Sequence, residues 1–371
     1  MQSCEVLIVG GGPAGSSCAA RLVDAGLDVA LIDRATFPRD KVCAGWITPA
    51  VIRTLQLDLD DYGRCCTLQP FTGFRTGSLS GHLRLHDFGT TVSYGIRRCE
   101  FDDYLLRRSG VRRIEGAGVR ELRRDRTEWI VNDTIRARML IGAGGHFCPV
   151  ARSLNRDVAD APAIVAQEIE FELDDRHAAS CGVAGTAPEL FFWPDLAGYA
   201  WCVRKGPVLN VGAGRLAPWP LPPAMRQFAA LLAERGGIFD QTLPRWKGHA
   251  YLLNRASTRR LHSAGVLLVG DSAGLALTPS GEGILSAIES GVMAAVTVLA
   301  ARGDYSESRL APYAGQIRDR FGARAAGIRS VPAWMSAIAS KALLGFPALT
   351  RRVLLEDGFL HTRRPDLCVA A

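Results

Sequence analysis

The chain lacks an uninterrupted apolar run of the roughly 18 to 20 residues needed to cross a bilayer. Its best candidate, Ala287 to Ala301, is broken by Glu289 and Ser290, so a membrane-spanning protein is not expected. There is no basic n-region, apolar core and cleavage site at the start, where the residues from Cys4 enter a strand directly. No secretory signal is therefore expected. Ten cysteines without an export signal point to reduced thiols and a cytoplasmic location. They include no C-x-x-C, and Cys65 and Cys66 are adjacent, which speaks against both a zinc site and a thioredoxin-like centre. The net charge of +7 is spread over pairs such as Arg97-Arg98, Arg107-Arg108, Arg112-Arg113 and Arg123-Arg124, with no aromatic residues interleaved. That pattern fits solvated faces rather than a nucleic-acid partner.

The composition is that of a globular enzyme, 48% hydrophobic and 22% charged, and 371 residues suggest two domains. The opening stretch organises the rest. Val6 to Val9 read as a short strand, Gly10, Gly12 and Gly15 as a G-x-G-x-x-G turn, and Ser16 to Ala25 as a helix. The first glycine permits the turn, the second lets the backbone approach a diphosphate, and the third lets the helix pack close to the strand. Asp33 ends the next apolar run, 18 residues past Gly15 (33 − 15), where a carboxylate can accept from a ribose diol. Strand, turn, helix, strand and acid together indicate a dinucleotide site, and they fit a nicotinamide or a flavin equally well.

Further along, Phe37-Pro38 and Ala44-Gly45 mark a loop with Cys43 beside Lys41 and Arg39, a setting that can favour a thiolate. Leu68 to Ile96 read as short antiparallel strands, and a helix begins at Arg98 with Phe101, Leu105 and Leu106 on one face. Ala137 to Gly142 form a strand that runs into Gly144-Gly145, which lacks the third glycine of a second fingerprint. Ile164 to Leu173 alternate as a half-exposed strand, with Ala166, Glu168, Glu170 and Glu172 on one side. Tyr199 and Trp201 share one face of another strand and suit a substrate wall. Val266 to Gly270-Asp271, then Gly281 to Gly283 and a helix to Ala301, offer a carboxylate for a ribose or ribitol hydroxyl and open amides for a polar ring edge or phosphate. The tail from Ser306 is basic and helical, and Ala333 to Leu349 fit a packed helix better than a lid, a dimer face or a membrane-surface helix.

In this order the segments resemble flavoproteins of the para-hydroxybenzoate hydroxylase fold, through Gly10 to Gly15 with Asp33, Arg98-x-x-Phe101-Asp102-x-x-Leu105, Ile141-Gly-Ala-Gly-Gly145 and Gly270-Asp271. Three segments resemble the geranylgeranyl reductase branch. Lys41-Val-Cys43-Ala-Gly45 is similar to its Lys-x-Cys-Gly-Gly loop, with Ala44 in place of a glycine, and Pro279-Ser-Gly281-Glu282-Gly283-Ile284 is similar to its loop beside the isoalloxazine. Tyr199-Ala-Trp201-Cys-Val-Arg-Lys205 is similar to its cavity-lining Tyr-x-Trp-x-Phe-Pro-Lys strand; Val203-Arg204 replaces Phe-Pro and puts a cation where an isoprenoid wall is expected. Flavin-dependent halogenases share the fold but carry Trp-x-Trp-x-Ile-Pro, which this chain does not.

The resemblance implies a mixed α/β fold: a Rossmann-like FAD domain from residues 1–70, 97–160 and 260–305, an inserted antiparallel-sheet substrate domain from 71–96 and 161–259, and a helical C-terminal segment, 306–371. It implies FAD contacts from Gly10, Gly12, Pro13, Ala14, Gly15, Asp33, Arg34, Lys41, Ala44, Gly45, Arg98, Gly144, Asp271, Gly281, Gly283 and Ile284, with Cys43, Tyr199 and Trp201 as the catalytic residues. The expected reaction is reduction of a carbon–carbon double bond in a hydrophobic, prenyl-type substrate. NADPH or a ferredoxin-type carrier would be the transient donor, and any membrane contact would be peripheral. A flavin monooxygenase is the rival enzyme, and a flavin-binding electron carrier the non-enzymatic one.

Overall fold

The computed structural model describes residues 1–79, 82–158, 162–216, 221–234, 245–278, 280–324 and 333–368. Pro279, the first residue of the Pro279 to Ile284 motif, lies outside the described residues.

The first sheet is built on five parallel strands in the order Val266–Leu268, Ile135–Gly142, Gln2–Val9, Val29–Ile32 and Arg112–Ile114. Val6, Leu7 and Ile8 are fully buried, as expected where a parallel strand is covered on both faces. Three of its strands run out side by side at their carboxyl ends, where the Ala143 amide donates to Val9 and the Val269 amide to Gly142. The helices Pro13–Asp24 and Ile284–Ala301 pack against each other over this sheet. The second helix corrects the expectation from the broken apolar run: its 18 residues are long and apolar enough to cross a membrane. It is instead a core helix, 83% buried. Glu289 does not interrupt it because Arg320 and Arg364 reach in to pair with its carboxylate.

The second sheet has seven strands in the order Lys247–Tyr251, Ile164–Glu172, Val208–Leu216, Gly198–Lys205, Glu189–Phe192, Gly73–Ser78 and Arg84–Asp87. All pairings are antiparallel except Glu189–Phe192 with Gly73–Ser78. One face carries Ile169, Phe191 and Leu209 against the helix Leu221–Glu234, and Ala166, Phe192, Trp201 and Val203 on the other meet C-terminal residues Leu354, Leu355 and Phe359. The strand Ile164–Glu172 remains partly exposed, with Val165 and Glu172 at the surface, but Glu168 is buried rather than solvated as the alternation suggests. A small sheet of Trp46–Ile47, Ser93–Gly95 and Gln69–Phe71 joins the two. In the tail, the helix Ala333–Gly345 stops at Phe346, whose extended backbone precedes a new start at Pro347, and a π-wound segment covers Thr350–Phe359.

Candidate active site

A cavity of about 610 Å³ opens where the carboxyl ends of the first sheet face the second, within the range typical of ligand pockets. Its wall includes Gly10, Gly12, Pro13, Ala14, Asp33 and Arg34 from the opening unit. It also includes Lys41, Cys43, Ala44, Gly45, Arg98, Gly144, Tyr199, Trp201, Asp271, Gly281, Gly283 and Ile284. Among the sequence-derived site residues, Gly15 alone does not line it. A Cβ there would lie 1.9 Å from the Gly10 carbonyl oxygen, so this glycine closes the helix onto the strand instead.

The fingerprint leaves an anion-binding helix end. The helix begins from Gly12 without a side-chain cap, with Pro13 at its first position and no acid in its first turn. Its first amides are therefore open to the cavity side, the arrangement that suits a diphosphate. The Asp33 carboxylate accepts from the Gly11 amide at 2.7 Å and from the Ala35 amide at 2.8 Å. Each oxygen keeps a lone pair for a ribose hydroxyl. Across the cavity, Gly281 has φ +70°, and a Cβ at this position would meet the Tyr251 hydroxyl at 2.3 Å, so the backbone approaches this side chain as only a glycine allows. These residues fit an FAD.

Charges in the wall are ordered by short pairings. Arg98 grips Asp102 with two parallel hydrogen bonds of 2.9 Å, and Arg39 reaches the same carboxylate at 3.2 Å. Burial opposes the Arg98 charge, but the Asp102 carboxylate holds it above the ordinary guanidinium range. His249 Nε2 lies 2.5 Å from Lys41 Nζ and 3.3 Å from Asp271 Oδ2. One ring nitrogen cannot accept from an ammonium and donate to a carboxylate at once, so which of the two hydrogen bonds Nε2 makes depends on where the proton sits. Burial lowers Lys41 to about 8 and also lowers His249. Burial alone would raise Asp271, yet the hydrogen bond from His249 and the Lys41 charge bring it to about 2.

The remaining wall is aromatic. The Tyr199 ring lies tilted at 5.9 Å from Trp201 and edge-to-face at 5.1 Å from Phe359, and its hydroxyl donates to the Ser280 carbonyl at 2.7 Å. Burial holds the Tyr199 phenol well above its ordinary range, so it stays neutral. The cation expected from Arg204 is not in this wall. Strand alternation sends it to the opposite face, where its Nε donates to the Gly206 carbonyl, and Val203 packs among the apolar residues instead. Cys43 is half-buried; its Sγ accepts from the Gly45 amide at 3.4 Å.

Sequence reasoning missed His249, Tyr251, Phe359, Glu168 and Asn210. Lys247, His249 and Tyr251 alternate in a strand and all line the cavity, a period-2 signal that was available. Asn210 was marked by being the one polar residue in Val208–Val211. Phe359 had no local signal, because the C-terminal segment meets the sheet only in three dimensions.

A model of the FAD binding domain matches residues 3–57. The chain is 30% identical over 317 residues to the menaquinone reductase of Mycobacterium tuberculosis, spanning 79% of this chain and 76% of that protein. It is 28% identical over 312 residues to the geranylgeranyl diphosphate reductase of Rhodobacter capsulatus, spanning 80% and 75%. A solved structure of a geranylgeranyl bacteriochlorophyll reductase-like protein from Thermoplasma acidophilum superposes with a TM-score of 0.74 at 21% identity, over 93% of this chain and 89% of that one.

Proposed function

Because the chain belongs to the geranylgeranyl reductase branch of the FAD-dependent oxidoreductases, we propose that it reduces carbon–carbon double bonds of a prenyl-bearing or similarly hydrophobic substrate, with NAD(P)H or a ferredoxin-type carrier as electron donor. FAD, when bound and reduced, supplies the hydride from its N5 position. The observation that carries this reading is the continuous aromatic wall of Tyr199, Trp201 and Phe359 next to Cys43 in one cavity with the dinucleotide fingerprint.

In this reading Gly10, Gly12, Pro13 and Ala14 receive the diphosphate at the helix N-terminus, with Lys41 and Arg98 supplying positive charge. Asp33 and Asp271 accept from the ribose and ribitol hydroxyls, with Arg34 and Gly144 beside the adenosine portion. Ala44, Gly45, Gly281, Gly283 and Ile284 bound the ring system. Tyr199 and Trp201 hold the alkene and exclude water; because the Tyr199 hydroxyl is tied to Ser280, it is the ring that faces the substrate. Cys43 carries at Sγ the proton that completes the reduction, and the Lys41–His249–Asp271 cluster restores it. The substrate domain built on residues 71–96 and 161–259 contributes Tyr199 and Trp201, the C-terminal segment contributes Phe359, and the FAD domain contributes the fingerprint.

Stopped-flow mixing of the anaerobically reduced holoenzyme with prenylated quinones and prenyl diphosphates tests the reading. It predicts flavin reoxidation by at least one of them without oxygen. Reoxidation only when oxygen is admitted, stimulated by a small aromatic compound, would instead establish the hydroxylase.

A further inference from the structure

Behind the cavity wall lies a polar cluster that neither the fingerprint nor the aromatic wall explains. Asn210, buried in the middle of its strand, accepts at Oδ1 from the Trp201 indole N–H at 2.7 Å. An indole nitrogen only donates, so this bond fixes which way the amide faces. The Asn210 NH2 group then points at the Cys43 carbonyl at 3.2 Å, Glu168 Oε2 at 3.3 Å and Glu170 Oε2 at 3.2 Å. Glu168 Oε2 in turn accepts from the Cys43 amide at 2.7 Å. Both polar groups of Cys43's own backbone are thus held by side chains of the substrate sheet, one by an acceptor and one by a donor.

The two carboxylates differ. Glu170 is matched by cations: Lys205 Nζ at 2.8 Å, which also donates to the Ile96 carbonyl, and Arg97 Nε at 3.2 Å. Lys205 is fully buried, so this pair is a fixed anchor joining the substrate sheet to the chain before Arg98. Among the described residues, the direct hydrogen-bond partners of Glu168 are amide N–H groups and include no cation.

We propose that Glu168 and Asn210 are positioning residues for the reduction, holding the Cys43 thiol at a fixed place relative to the Trp201–Tyr199 wall by clamping the Cys43 backbone and the Trp201 indole together. This rests on the assignment of Cys43 and Trp201 to the reaction. Neither clamp residue lines the cavity, so both act through the two residues they hold. Burial raises Glu168 to about 7, so the clamp passes from an uncharged to a charged acceptor near neutral pH. The groups facing it are the Cys43 amide, Asn210 and, more remotely, Lys205 and Glu170.

The test uses the FAD-loaded protein and needs no substrate or turnover, so it can fail while the reductase assignment stands, and the reverse. The rate of iodoacetamide modification at Cys43 is followed by site-resolved mass spectrometry, with buried Cys202 as the internal reference for general loosening. In Asn210→Ala and Glu168→Ala, Cys43 should react about tenfold faster, the effect of losing a buried hydrogen bond, while Cys202 is unchanged. Glu168→Gln keeps the volume and an acceptor; it should restore the slow rate and remove the inflection in Cys43 reactivity expected near pH 7 in the parent. An unchanged Cys43 rate in both alanine variants would overturn the proposal, as would an equal acceleration of Cys202. If the alanine variants do not load FAD, Glu168→Gln decides: an inflection that persists in it overturns the clamp.

Discussion

Two glycines three positions apart make opposite predictions, which separates the folding role of the fingerprint from its binding role. In Gly15→Ala the new Cβ would lie 1.9 Å from the Gly10 carbonyl oxygen. Neither side can retreat cheaply. The Gly10 amide is fixed by its bond to the Ile32 carbonyl at 2.9 Å, and the helix is pinned by the fully buried Cys18, Ala19 and Leu22. Alanine favours a helix interior over glycine by about 1 kcal/mol, but a backbone clash this deep sits near the upper end of overpacking costs, about 3 kcal/mol, leaving a net loss of about 2 kcal/mol. In Gly12→Ala the added methyl would meet only the Arg39 Nη2 atom, at 3.4 Å, and the φ of −74° suits any residue. The fold should lose no more than about 0.5 kcal/mol, whereas the diphosphate would lose its close approach and FAD affinity should fall by about tenfold or more. Thermal melting of the apoprotein gives the first quantity and titration by flavin fluorescence quenching the second. A Gly15→Ala protein that melts with the parent would remove Gly15 from the helix–strand contact, and a Gly12→Ala protein that binds FAD with parental affinity would remove Gly12 from the diphosphate site.

Other consequences follow from the same wall. Lys41 in the free site sits near 8 and is raised by a bound diphosphate, so FAD binding takes up a proton and affinity falls as pH rises above about 8, by up to tenfold per pH unit. Lys41→Gln should flatten that profile, and a flat profile in the parent would remove Lys41 from the diphosphate site. Cys43→Ser should leave FAD affinity intact and slow flavin reoxidation by substrate by about 10²- to 10⁴-fold, the usual worth of a positioned acid; stopped-flow rates equal to the parent's would sink its role. The tail exposes Met335, Ile338, Phe346, Leu349 and Val353 beside Lys341 and Arg352. Vesicles containing phosphatidylglycerol should therefore retain the protein in a flotation assay at low salt, and Lys341→Glu with Arg352→Glu should release it, at roughly 1 kcal/mol per cation lost.

Much of the site was legible because its motifs are local. Gly10 to Gly15 with Asp33, the Cys43 loop, Gly270-Asp271 and Gly281 to Gly283 each encode a turn and the group it presents within a few residues. Tyr199 and Trp201 needed only strand alternation, and the same alternation, carried on through Val203, takes Arg204 out of the wall. The hidden part arises from strand pairing. Glu168 looks solvated when its strand is read alone, because its burial depends on the Cys43 loop, more than a hundred residues earlier, and on Asn210 in a neighbouring strand. His249 finds Lys41 and Asp271 in the same way. The Ile284–Ala301 helix shows the converse: Glu289 reads as a break in an apolar run until Arg320 and Arg364 supply its partners.

The proposed reaction is the delivery of hydride to an alkene in this cavity. The most direct test is the product formed when the holoenzyme, its flavin reduced in deuterated buffer, meets a prenylated substrate without oxygen. The product should be heavier than the substrate by two deuterium atoms, one on each carbon of the former double bond. Recovery of unchanged substrate under those conditions, together with a product carrying one added oxygen once air is admitted, would contradict it.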